Sequence, residues 1–316
     1  MYPRISDLFN DLFGIDLPLP LYSFGLMVAI AILTATWLAR KELDRLYATG
    51  QIGPVEIKEQ DKKGRTRTVK ASPSALMWNV MILAAVFGVI GSKLFHIIDY
   101  WERFVLDPAG MLFSSGGLTI YGGIIVAGLA IWYYARKKGV HFGALADAIA
   151  PGLMLAYGIG RIGCYLAGDG DWGVCSDLAN KPAFLPDFLW SETFPRSITT
   201  DDVFAFNTAR GDVCIPGVHD GVFPTMLYEF AMAAVLAGVL WMLRKHPHQF
   251  GWLFSLYLVF NGAERFLIEQ IRVNPELSWI GLTQAMLIAL FFVAAGLVGL
   301  ALTWKRRTPA PAEAGA

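Results

Sequence analysis

Seven stretches of this chain are almost wholly apolar, and each has the length of about 20 residues that a helix needs to cross a hydrocarbon core. They cover residues 21–39, 76–97, 116–135, 143–166, 223–243, 250–271 and 282–303. In lipid only helices or closed barrels satisfy every backbone polar group, and the alternating pattern of barrel strands is absent. With 55% hydrophobic and 16% charged residues, the chain is too apolar for an ordinary soluble domain. The expected fold class is all-α: a polytopic membrane protein with seven transmembrane helices.

The zero net charge conceals an alternation that sets the orientation. Segments 40–73, 136–142, 244–249 and 304–316 hold 17 of the 26 Lys and Arg but only 6 of the 26 Asp and Glu. Segments 1–20, 98–115, 168–222 and 272–281 hold 6 basic and 16 acidic residues. Basic loops stay in the cytoplasm, so the N-terminus is expected outside and the C-terminus inside. Residues 1–20, with one Arg, three Asp and spaced Leu and Phe, read as an external amphipathic segment rather than a secretory signal. Residues 21–304 form the membrane domain, interrupted by an external loop insertion at 174–220, and 305–316 read as a disordered cytoplasmic tail. The stretch QDKKGRTRTVKASPS in the first internal loop reads as solvated or facing lipid headgroups. Positive-inside topology accounts for it, so no nucleic-acid partner is expected.

A charge at membrane depth costs a few kcal/mol or more, so it usually lines a polar site or an aqueous path. Lys93, Arg161 and Arg265 are the cations inside the apolar stretches; Asp147, Glu229, Glu264 and Glu269 are the anions. At a rise of about 1.5 Å per residue, Arg161 lies about 27 Å along the outward-running fourth span, Lys93 about 26 Å along the second and Arg265 about 22 Å along the sixth. Tyr121 and Glu229 fall within about 10 Å of the outer end of their spans. Five helices therefore bring polar residues to the outer headgroup level. On the sixth, Asn261, Arg265, Glu269 and Arg272 stack on one face, while Glu264 points about 100° away. Buried ion pairs can serve helix packing alone, but an excess of cations at this depth suits an anion, and a lipid phosphate matches the donor fork of arginine. The glycine-rich passages GGLTIYGGIIVAG and GIGRIGCYLAGDGDWG allow either close helix packing or backbone approach to a ligand.

Cys175 and Cys214 flank the external loop, where oxidation is permitted, and form a candidate disulfide. Cys164, inside the fourth span, reads as a small packing residue. No His or Cys pair has ligand spacing, since His246 and His248 share a tight cytoplasmic turn, so no metal site is expected.

The ordered motifs PLYSFGLM, GGLTIYGG, GRIGCYLAGDGDWG, FPTMLYE and NGAERFLIEQIR resemble the prolipoprotein diacylglyceryl transferase family. The resemblance covers most of the chain, leaving loops 50–73 and 174–220 unmatched. It implies a seven-span enzyme of the bacterial cytoplasmic (inner) membrane that needs no cofactor. Such an enzyme transfers the diacylglyceryl group of phosphatidylglycerol to the lipobox cysteine of a preprolipoprotein, and glycerol phosphate leaves. By the same resemblance Arg161 binds the headgroup, Arg265 assists the departing phosphate and Glu269 holds Arg265. Either Asp169 or Asp171 supplies the acidic residue of the glycine-rich turn, with Asp169 preferred. Glu229 orients its neighbours, and Gly122 and Asn261 complete the substrate-binding set. Tyr121 stands where the family often has histidine, Cys164 where it has asparagine and Phe24 where it has tyrosine. The base is therefore open: the arginines acidify the thiol directly, or Tyr121 replaces the imidazole by hydrogen bonding. Two other classes stay open on the residues alone, a secondary transporter and a non-catalytic lipid-binding scaffold.

Overall fold

The computed structural model describes residues 2–15, 21–60, 66–113, 119–200, 202–209 and 211–305. The expected tail from 306 onward lies outside these residues, as do 16–20 of the N-terminal segment, 61–65 of the basic loop and 116–118 of the third apolar stretch.

All seven apolar stretches are helical. Helix α1 (Ile5–Phe13) precedes α2 (Ser23–Ala48) and α3 (Met77–Asp99), and the short α4 (Trp101–Leu106) and α5 (Pro108–Phe113) lead to α6 (Ile120–Lys137) and α7 (Phe142–Ala167). The short α8 (Val203–Ala209) lies in the insertion after α7, followed by α9 (Thr225–Leu243), α10 (Trp252–Glu269) and α11 (Gln284–Thr303). Five helical segments are long and apolar enough to cross a membrane: Ser23–Ala48, Pro73–Asp99, Phe142–Ala167, Thr225–Leu243 and Gln284–Thr303. Helices α6 and α10 have 18 residues each and do not meet that standard. In α10 the cause is visible, because Glu264, Arg265 and Glu269 interrupt its apolar run. Large apolar side chains point outward, among them Trp37 at 55%, Val89 at 61% and Phe291 at 67% exposure. Helices that show apolar faces outward are solvated by lipid rather than water.

The fold is mostly helical but not all-α. Strands β1 (Val55–Gln60) and β2 (Thr66–Ala71) pair antiparallel, Val55 opposite Ala71. This hairpin occupies the loop expected to be merely solvated or headgroup-facing. Its alternating VEIKEQ and TRTVKA are the signal that was available. Two further two-residue pairs join β3 (Cys175–Ser176) to β4 (Gly221–Val222) and β5 (Glu276–Leu277) to β6 (Leu282–Thr283).

The described residues divide into two compact units, one comprising 2–35 and 149–305, the other 36–148. In the first, Ala150 and Met154 of α7, Ala233, Ala237 and Leu240 of α9 and Leu253 of α10 form one buried cluster. A second cluster joins the insertion between α7 and α9 to its flanks, around Trp172, Phe194, Val203, Cys214, Val222 and Met226. Trp172 stacks on Phe194 at 4.9 Å and donates its indole N–H to Asn207 Oδ1 at 2.7 Å. Cys175 and Cys214 are joined, with Cα atoms 5.6 Å apart. The insertion therefore shares its core with Cys164 at the end of α7 and Met226 at the start of α9. In the second unit α3 and α6 lie in close contact. A Cβ built on Gly122 would come 2.4 Å from the Gly91 carbonyl oxygen, so the glycines allow the two backbones to touch.

Candidate functional site

The polar cluster of the first unit grows from three places in the chain. Arg161 lies on the last two turns of α7. Beyond that helix, Gly168 and Gly170 take φ values of 61° and 92°, left-handed conformations that glycine adopts without strain. The resulting turn returns the chain onto Arg161. Arg265 and Glu269 sit one turn apart near the end of α10. Arg272 follows that end, held where Gly173 and Arg272 form a β-bridge and the Val174 N–H donates to the Ile271 carbonyl at 2.9 Å.

Glu229 of α9 is the hub. It is fully buried, and Arg161 Nε reaches its carboxylate at 2.6 Å, Arg272 Nη1 at 3.2 Å and Arg265 Nη1 at 3.8 Å. The Tyr157 hydroxyl donates to the same carboxylate, and the Arg161 guanidinium lies over the Tyr157 ring, 5.1 Å from its centroid. Asp171 bridges Arg161 and Arg272, accepting from Arg272 Nη2 at 2.5 Å. Glu269 pairs with Arg265 Nη2 at 3.0 Å, and its other oxygen accepts from Asn274 Nδ2 at 2.7 Å and Thr283 Oγ1 at 2.8 Å. Each arginine is thus fixed by carboxylates that are themselves fixed.

The turn outside α7 separates the two aspartates. Burial raises the Asp171 carboxyl, but the Arg272 and Arg161 guanidiniums outweigh it and hold it down at about 2. Burial raises the Asp169 carboxyl, and the Asp171 charge beside it adds to the rise. Asp169 spends Oδ1 on the Asp171 N–H, at 3.2 Å. Asp171, rather than the preferred Asp169, is therefore the carboxylate that meets Arg161.

The expected excess of positive charge is not what this cluster holds. Arg161, Arg265 and Arg272 are matched by Asp171, Glu229 and Glu269, with Glu264 buried beside them. Charge balance is what allows so many ionised groups to share one buried place. Arg272 and Tyr157 were not among the site residues expected from sequence. Arg272 had a signal, its position on the Asn261–Arg265–Glu269 stack, whereas a tyrosine in an apolar run carries none. Asn261 lies one turn before Arg265 and is half-buried. Tyr121, Gly122 and Lys93 belong to the second unit, where Gly122 serves the α3–α6 contact. Phe24 packs at Gly163, where an added Cβ would meet its ring at 3.2 Å. Cys164, Asp169 and Asp171 bring possible metal-ligand atoms within 4.8 Å of one another, but Asp171 is already committed to two guanidiniums.

A family model described as prolipoprotein diacylglyceryl transferase matches residues 10–302. The chain belongs to the prolipoprotein diacylglyceryl transferase family. It is 29% identical over 304 residues to the phosphatidylglycerol–prolipoprotein diacylglyceryl transferase of Corynebacterium efficiens, covering 94% of this chain and 82% of that protein. The protein of the same name from Dehalococcoides mccartyi is 33% identical over 217 residues, 67% of this chain and 71% of its own. That of Enterococcus faecalis is 26% identical over 312 residues, 98% of this chain and 94% of its own. Arg265 Nη1 and Arg272 Nε are buried and make no hydrogen bond among the described residues.

Proposed function

We propose that this protein transfers the diacylglyceryl group of phosphatidylglycerol to the lipobox cysteine thiol of prolipoproteins, releasing glycerol phosphate. One observation carries the site: three guanidiniums converge on the single buried carboxylate of Glu229, within 3.8 Å. A phosphodiester is an anion that arginine grips through parallel donors, and the exposed parts of Arg161 and Arg265, 17% and 22% of each side chain, suit that grip. Arg161 binds the headgroup phosphate. Arg265 stabilises the charge that develops as phosphate departs, and Glu269, anchored by Asn274 and Thr283, holds Arg265 in place. Asp171 and Glu229 keep Arg161 and Arg272 from turning away. The resemblance alone speaks for Asp169, Asn261, Gly122 and Tyr121.

The substrate brings its own nucleophile, so a serine or metal nucleophile is not required. A free thiol has a pKa of about 8.5 and must lose its proton to attack. The sulfur then bonds the glyceryl carbon that carries the phosphate ester, and the carbon–oxygen bond breaks with its electron pair going to the phosphate. We read α6 and α10 as spanning the bacterial inner membrane together with the five more apolar helices. The alternating loop charge sets the N-terminus outside, with the arginine cluster at the outer leaflet.

The test is incubation of the purified protein with phosphatidylglycerol and a lipobox peptide, scored by peptide mass. A diacylglyceryl mass gain that requires the cysteine is expected, and Arg265→Ala should abolish it. No gain from folded protein points to a scaffold instead, and retained turnover in Arg265→Ala removes the role given to that residue.

A further inference from the structure

Among the carboxylates gathered round the three arginines, one has no ion pair and no donor committed to it among the described residues. Asp171, Glu229 and Glu269 are each held by the donors named above. Glu264, the residue before Arg265 on α10, is 2% exposed; the hydroxyl beside it belongs to Tyr157, whose proton goes to Glu229, so neither Glu264 oxygen has a donor of its own among the described residues. It faces Glu229 of α9, Tyr157 and Arg161 of α7 and Arg265 of its own helix. Helix α11, packed along α10, carries no titratable side chain. Charge balance does not need Glu264, because the three arginines are already matched. Packing does not explain it either, since an unsatisfied buried polar group costs about 1–3 kcal/mol and more when charged. Its flanking guanidiniums are partly open, Arg161 with 17% and Arg265 with 22% of the side chain exposed. The carboxylate therefore stands just behind the surface where phosphate and thiol would meet.

We propose that Glu264 is the base that takes the thiol proton, an assignment that rests on the transfer reaction proposed above. The S–H bond breaks toward a Glu264 oxygen, and the sulfur bonds the glyceryl carbon. The carbon–oxygen bond to phosphate breaks, and its electron pair stays on the phosphate oxygen. Glycerol phosphate leaves as a dianion whose second pKa, about 6 for such esters, lets it take the proton from Glu264 and restore the carboxylate. The other three carboxylates are unsuited to this step because they face arginine, amide or hydroxyl donors.

The experiment measures transfer from phosphatidylglycerol to a lipobox peptide between about pH 6 and about pH 10, a range bracketing the thiol pKa. Near neutrality Glu264→Gln should lose about 10²–10⁴-fold in kcat, the usual worth of a general base. Its KM for phosphatidylglycerol should not change. Activity should recover toward wild type above about pH 8.5, where solution itself supplies thiolate. A loss equal at every pH, a change confined to KM, or no loss overturns the assignment. If Glu264→Gln does not fold, Glu264→Asp decides: a reduced rate with the wild-type pH profile supports the base, and an altered profile overturns it. Wild-type protein that transfers nothing at any pH overturns the proposed function itself, which separates that failure from this one.

Discussion

Replacing Glu229 by alanine removes the one carboxylate that three arginines share. Arg161 and Arg272 have only 17% and 4% of their side chains exposed, so water cannot take over its part. Asp171 would still pair with both arginines, but the Arg161 Nε and Tyr157 hydroxyl contacts would be lost outright. Removing one partner of a buried pair destabilises by about 3–5 kcal/mol, because a buried charge is left uncompensated. That corresponds to about 10²- to 10³-fold or more in the unfolding equilibrium, at about 1.4 kcal/mol per factor of ten. Titration with a denaturing detergent in mixed micelles, followed by tryptophan fluorescence, reads the change as a shift in midpoint. The exposed pair Arg196–Asp11 is the control, and Asp11→Asn should leave the midpoint in place. A Glu229→Ala shift below about 1 kcal/mol, the level of surface pairs, would refute the reasoning.

Asp171 has its carboxyl held at about 2, below the ordinary value of about 3.9. A lowered folded-state pKa stabilises above the unfolded value and loses that effect as pH falls through the folded one. Acid-unfolding curves of wild type and Asp171→Asn should therefore differ above about pH 4 and converge near pH 2; parallel curves would contradict the pairing. The Cys175–Cys214 bond spans a sequence separation of 39. Chain-entropy arguments give such a closure about 4 kcal/mol, so the Cys175→Ala, Cys214→Ala protein should show faster proteolysis within the insertion, and an unchanged rate would count against that estimate. Gly122→Leu should separate α3 from α6 and cost about 1–3 kcal/mol in the same detergent titration. Gly128→Ala, where no neighbouring atom comes within 4 Å of an added Cβ, should cost far less.

The helices were legible because lipid imposes its demand on composition. About 20 apolar residues mean one crossing, and no tertiary knowledge is needed to count them. Arg161, Glu229, Arg265 and Glu269 were legible for the complementary reason, since a charge in an apolar run has to be answered by something. The partners were harder. Whether Asp169 or Asp171 answers Arg161 depends on two left-handed glycines, Gly168 and Gly170, and on where the turn they make ends. Arg272 joins the cluster through a backbone bridge to Gly173, a long-range pairing that no local pattern encodes. Tyr157 was invisible because its hydroxyl matters only through what it meets. In the β1–β2 hairpin the basic residues of the stretch mask the alternation that marks its strands.

The insertion between α7 and α9 is closed by the Cys175–Cys214 bond, and the chain leading into it is held by the bridge that joins Gly173 to Arg272. Deeper in the insertion, Ser197 donates to the Gly168 carbonyl at 2.6 Å and Phe194 stacks on Trp172, so its 194–199 segment also braces the turn that carries Asp171. The exposed tip near Phe184, 84% open, is a natural port for an epitope or fluorophore. One extra residue between Asp171 and Cys175 would displace the Gly173–Arg272 bridge and with it the guanidinium, so that short run tolerates no change of length while the tip does.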